Sequence, residues 1–99
     1  MSYKTLKKTI SSAAAQPLSA TSLRCRRALI QPERSNTAKF QIGDSAVTAT
    51  SGMEMVKPVA SAYSIPLELT SQSGNDVDLS QIYVIGTAND IVNVLYDEF

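Results

Sequence analysis

Apolar and polar residues alternate along this chain in runs of strand length, and helical periodicity is weak throughout. In residues 38–42, Phe40 and Ile42 share one face against Lys39 and Gln41; in residues 64–70, Ile65, Leu67 and Leu69 align. In residues 91–96, Val92, Val94 and Tyr96 oppose Ile91, Asn93 and Leu95. A period of two belongs to a pleated strand with one buried face, so each run predicts a strand. Residues 81–86, Q-I-Y-V-I-G, are apolar on both faces. They predict a central strand, covered on both sides or packed by a neighbouring subunit. In residues 23–30 the parity slips, because Leu23 and Cys25 are odd positions while Ala28 and Ile30 are even. A β-bulge at Arg26 and Arg27 reconciles the halves. Residues 53–59 make a poorer strand, since Pro58 lacks a ladder donor and points to an edge or strand end, as Pro66 does for the run 64–70.

Polar punctuators separate these runs: residues 31–36, Gly43-Asp44, Ser51-Gly52, residues 71–76 and Ala88-Asn89-Asp90. Gly43-Asp44, following alternating hydrophobics, predicts a tight reversal. Asp78-Leu79-Ser80-Gln81 predicts a single tight turn that drops Leu79 into the end of the core. Short strands at intervals of about 8 to 12 residues indicate an all-β fold, a sandwich or barrel. Residues 1–20 differ, being rich in Ser, Ala, Thr and Lys with few large apolar groups. They are expected to bury little and to form a basic N-terminal arm or linker, with Tyr3, Leu6 and Ile10 as a first strand or arm, before a β-sandwich domain over residues 21–99.

Length allows one domain, since 99 residues fold to a radius of gyration of only about 13 Å. A single cysteine, Cys25, permits no internal disulfide and reads as a small buried apolar residue. The count of zero histidines changes the picture most, because it removes the usual catalytic base and the commonest metal ligand together. Thr9, Ser11, Ser12 and Gln16 interrupt any apolar block near the start, and no run reaches the 18 or so residues of a membrane span. A soluble, unexported protein without a membrane partner is the expectation.

Net charge is zero, but residues 1–40 hold eight basic residues and one acid, and residues 41–99 hold eight acids and one lysine. The halves therefore carry +7 and −7. Such a division arises from a nucleic-acid-binding arm, a membrane patch or complementary recognition surfaces, or from strands that interleave and disperse the charge.

Gly43-Asp44-Ser45 is spelled like the nucleophile block of GDS-type serine esterases, yet a serine needs a positioned base. Without histidine only Lys39 or Lys57 could serve, and their spacing does not recommend them, so the turn reading prevails. Residues 74–78, G-N-D-V-D, place oxygen ligands at alternate positions, but the twelfth residue from Asp76 is Thr87 where a calcium loop requires glutamate. No metal or other cofactor is expected. Arg24, Arg26, Arg27, Lys4, Lys7 and Lys8 could neutralise phosphates, but Tyr3 is the sole aromatic before Phe40, which weighs against nucleic acid as a partner.

In residues 36–96 the order N-T-A-K-F-Q-I-G-D-S-A-V, S-G-M, I-P-L-E-L and D-L-S-Q-I-Y-V-I-G-T-A-N-D-I-V-N-V-L-Y resembles small tailed-bacteriophage virion proteins. The chain departs from that pattern where V-A-S-A-Y-S replaces a proline-glycine turn, and in its basic N-terminal extension. The resemblance implies a jelly-roll-like antiparallel β-sandwich and no catalytic residues. It implies a capsid decoration or cement protein, made in the host cytoplasm, that binds the major capsid protein on the capsid surface of the virion; a minor tail, neck or fibre-associated component is the alternative. A homo-oligomer, with a trimer favoured, would bury Tyr83, Ile85 or Leu95; Lys4, Lys7, Lys8, Arg24, Arg26 and Arg27 complete the candidate subunit or capsid interface, and the basic arm would lie along an acidic region of the capsid protein.

Overall fold

A computed structural model of the chain describes residues 2–11, 14–56, 67–71 and 75–98. Among the described residues nine strands follow one another: β1 (Ser2–Thr9), β2 (Gln16–Pro17), β3 (Arg24–Pro32), β4 (Phe40–Gly43), β5 (Met53–Met55), β6 (Leu67–Thr70), β7 (Val77–Asp78), β8 (Tyr83–Ile85) and β9 (Ile91–Glu98). Among the described residues the only helical piece is a 3-10 turn, Leu79–Gln81. The strands form two antiparallel sheets. The larger has the order β1-β9-β3-β6, with β7 also paired to β3, and the smaller has the order β2-β8-β4-β5.

Both sheets turn their apolar positions to one core. From the larger come Cys25, Ala28, Ile30, Val92, Val94 and Tyr96; from the smaller come Phe40, Ile42, Met55 and Val84. The alternation read in the sequence is the burial pattern observed, since Val92, Val94 and Tyr96 are buried while Leu95 between them is exposed. β8 lies between β2 and β4, with Val84 fully buried and Tyr83 and Ile85 half-buried on the opposite face. The bulge also falls where parity predicts it: the β3–β9 register shifts between Cys25 and Arg27. Leu79 is fully buried at the end of the core, its turn held by Asp78, whose side chain accepts from the Ser80 N–H.

Three expectations need correction. Residues 2–9 pair along their whole length with β9, and Ile10 and Leu18 lie in the core almost without exposure. The expected first strand is present as β1, but the described part of this segment buries more than its composition suggests, because Ile10 and Leu18 both belong to the core cluster. Secondly, Gly43-Asp44 is not a tight reversal. β4 returns to β5 through a loop of two successive turns, closed by Val47 N–H to Asp44 O at 3.0 Å and Ser51 N–H to Thr48 O at 3.2 Å. The left-handed backbone this return needs is supplied by Gly52, with φ of 107°. Thirdly, the strand expected over residues 53–59 stops at Met55, and residues 57–66 lie outside the described residues together with Pro58, Ile65 and Pro66.

Candidate interaction surfaces

Strand order decides what becomes of the divided charge. β1 and β3 carry the basic residues, and both pair with the acidic β9; β3 also pairs with β6 and β7. Opposite charges from the two halves are thereby brought together. Lys4 reaches Glu98 at 3.0 Å, Arg24 reaches Asp76 at 3.8 Å, Lys39 reaches Glu54 at 2.7 Å, and the Arg27 guanidinium meets Glu68. Lys7 finds Glu33 at 3.2 Å within the first half. The hydrogen bond from Lys39 holds the Glu54 carboxyl below its ordinary range, and that from Lys7, followed by one from Ser35, does the same for Glu33. Glu98 raises the Lys4 ammonium above its usual value. The six basic residues of the expected interface thus do not form one patch: Lys4, Lys7 and Lys8 lie on β1, while Arg24, Arg26 and Arg27 lie on β3, with β9 between. Tyr83 and Ile85 sit on the smaller sheet, away from Leu95 on the larger.

The two readings of a reactive centre meet local geometry. Ser45 is exposed inside the Asp44 turn, where the Ala46 N–H donates to Asp44 Oδ1 at 2.9 Å. Lys39 is engaged by Glu54 at 2.7 Å rather than by Ser45; Lys57 lies outside the described residues. Of residues 74–78, Gly74 also lies outside them, and Asp78 is saturated by protein donors. Ser22 Oγ donates to it at 2.8 Å, Ser80 Oγ at 2.8 Å, Ser80 N–H at 3.0 Å and Leu23 N–H at 3.1 Å. Those bonds, from Ser22 first and Ser80 next, hold its carboxyl far below the ordinary aspartate value. Among the described residues no group of three or more acidic or cysteine side chains converges as a metal site.

Two buried polar residues, not singled out from the sequence, do structural work at the crossing between sheets. Asn36 replaces a missing strand partner: its Nδ2 donates to Ile91 O at 2.8 Å and its Oδ1 accepts from Ile91 N–H at 2.7 Å. Asp90 accepts from Thr37 N–H at 2.9 Å, Ala38 N–H at 3.1 Å and the Thr37 hydroxyl. These bonds fasten the β3–β4 connection to the β8–β9 connection. The adjoining Asn89 holds φ of 76°, a left-handed turn conformation that asparagine tolerates. Asn-Thr and Asn-Asp-Ile were legible as parts of the virion-protein pattern, but not as partners in one lock.

Among the described residues four large apolar side chains are exposed, Tyr3, Met53, Val56 and Leu95. Positions 93, 95 and 97 of β9 face away from the core. In register beside them lie Lys7, Thr5 and Tyr3 of β1, and Gln31, Leu29 and Arg27 of β3. Leu95 is 39% exposed and Tyr3 50%. A shallow groove of about 450 Å³ runs between Thr5, Lys7, Leu29, Gln31, Asn93 and Leu95. On this same side Asn93 Oδ1 and Asp97 Oδ1 are buried without a donor, and Asp97 as a whole is 3% exposed. A second opening, of about 240 Å³, lies between the sheets at Ile42, Met53, Leu67, Leu69 and Ile82. Met53 beside it is 54% exposed and the neighbouring Val56 61%. On the smaller sheet a third hollow, about 300 Å³, is lined by Lys39, Gln41, Ile85 and Thr87.

No family model, curated protein sequence or solved structure matches the chain. Its function is therefore argued from these surfaces and from the residues that carry the virion-protein resemblance.

Proposed function

We propose that this chain is a virion structural protein, a capsid decoration or cement protein whose jelly-roll-like β-sandwich binds and stabilises the major capsid protein lattice. The observation that carries the reading is the placement of apolar side chains on two separate sides of a small molecule. Tyr3, Leu29 and Leu95 crown the outer face of the larger sheet, while Met53 lines the opening between the sheets and Val56, three residues on, is exposed. A chain with two adhesive sides joins two surfaces, which is the task of a cement. The dispersal of Lys4, Lys7, Arg24 and Arg27 into ion pairs weighs against phosphate as their partner.

Co-sedimentation with bare phage capsids, followed by heating, tests the proposal. The expected result is saturable binding, capsids that withstand higher temperature when decorated, and reduced occupancy for Met53→Asp combined with Val56→Asp. No binding, or equal heat resistance of bare and decorated particles, would refute it; binding to tails or necks instead would move the protein there.

A further inference from the structure

We infer that the outer face of β1, β9 and β3 is a twofold interface with a second copy of this chain, the two β9 strands crossing antiparallel over Leu95. The inference does not depend on which particle the protein belongs to.

The distribution of groups on the face selects both the partner and its direction. Along β9 the outward row reads Asn93, Leu95, Asp97; along β1 it reads Lys7, Thr5, Tyr3; along β3 it reads Gln31, Leu29, Arg27. The centre is neutral, and Lys7 and Arg27 are already balanced by Glu33 and Glu68, which leaves Asp97 as the one carboxylate of these rows that a second copy must meet with a donor. A twofold axis in the plane of the interface, crossing β9 at Leu95, sets Leu95 on Leu95, Leu29 on Leu29 and Thr5 on Thr5. It places Asn93 opposite Asp97 of the second copy, Lys7 opposite the ring of Tyr3, and Gln31 opposite Arg27. The other twofold, along the strands, sets Asp97 on Asp97 and two carboxylates oppose each other. Charge therefore favours the antiparallel arrangement.

One of the two unpaired acceptors, that of Asp97, fits the same geometry. Asp97 Oδ1 has no donor among the described residues, and the Asn93 side chain carries an amide with N–H groups to give. Tyr3 and Arg27 flank Asp97 in the register, and the inferred bond requires both side chains to shift, because Asp97 is 3% exposed in the single copy. Three strands of about eight residues, spaced ~4.8 Å apart and rising ~3.3 Å per residue, give a face of roughly 26 × 14 Å, which places the contact at the small end of specific interfaces.

Sedimentation equilibrium of the full chain from low to high micromolar concentration, together with crosslinking, tests this. The expected species has twice the 10.6 kDa chain mass. Leu95→Arg raises its dissociation constant about tenfold or more, since it sets like charges on the axis where leucines met. Asn93→Asp alone weakens it by opposing two carboxylates, and adding Asp97→Asn restores it, a rescue that a merely structural role for either residue does not give. Thr5→Cys, at an exposed position on the axis, is joined to its mate by a short bismaleimide that spans the ~10 Å between face-packed sheets, whereas Lys39→Cys, in the β3–β4 connection, is not; circular dichroism confirms that each variant folds. A monomer at high micromolar concentration, a trimer, or a dimer crosslinked through Cys at 39 and not at 5 would each overturn the inference.

Discussion

Asp90→Asn is the sharpest probe of how the two sheets are joined. The carboxylate is 4% exposed and spreads its two oxygens over separate donors: Thr37 N–H at 2.9 Å on Oδ1, Ala38 N–H at 3.1 Å on Oδ2, and the Thr37 hydroxyl shared at 3.1 and 3.2 Å. An amide of the same shape offers one oxygen, so one backbone N–H must face an NH₂ group instead. A buried donor left unsatisfied costs about 1–3 kcal/mol, and bonds to a charged acceptor are the stronger ones. The expected loss is about 2–3 kcal/mol. For a domain of this size that corresponds to roughly 10–20 °C in melting temperature. Urea unfolding followed by circular dichroism should give a lower midpoint with an unchanged slope, because the surface exposed on unfolding is the same. Asp44→Asn is the control: its exposed carboxylate accepts one N–H in a turn that water also solvates, and the loss there should stay near 0.5 kcal/mol. If the two variants lost the same stability, the reading of Asp90 as the clasp between the sheets would be wrong.

Gly52→Ala should cost about 1–3 kcal/mol in the same unfolding assay, because φ is 107° and an added Cβ would lie 2.6 Å from Val47 Cγ2 and 2.8 Å from Ile42 O. Ile10→Ala should cost about 2–5 kcal/mol, since the side chain is fully buried; a loss under 1 kcal/mol would return the first residues to the status of an arm. Asp78 gives an acid dependence whose sign is fixed by its depressed folded-state pKa. Its contribution is complete above the ordinary aspartate value of about 4 and is lost as pH falls below it. Asp78→Asn should therefore flatten the acid limb of a stability–pH profile, and an unchanged limb would refute the assignment.

Much of the fold was legible because parity carries it. The slip between Cys25 and Ala28 located the bulge, the two-faced Q-I-Y-V-I-G located a central strand, and Val92, Val94 and Tyr96 named the core side of β9. Periodicity failed where a single side chain acts alone. Ile10 and Leu18 stand isolated among small polar residues, so no window reveals that both belong to the core cluster. Gly43-Asp44 has the spelling of a tight turn, but the positive φ is held nine residues later by Gly52, and only tertiary contact between Val47 and that glycine distinguishes the two. The candidate surfaces were less legible still. Which basic residues meet which acids depends on strand order, and the neutral row of Thr5, Leu29 and Leu95 exists only because three strands distant in sequence lie side by side. The parity of each strand predicts its outward residues, but not its neighbours.

The placement of β9 between β1 and β3 bears on how the molecule is born. β1 pairs with residues 91–98, so during synthesis it has no mate until nearly every other described strand has left the ribosome. Pairings this distant along the chain close slowly, because the entropy of the loop is spent before any contact rewards it. β1 waits meanwhile as an unpaired strand, and its three lysines, Lys4, Lys7 and Lys8, keep identical waiting strands on neighbouring nascent chains from zipping together.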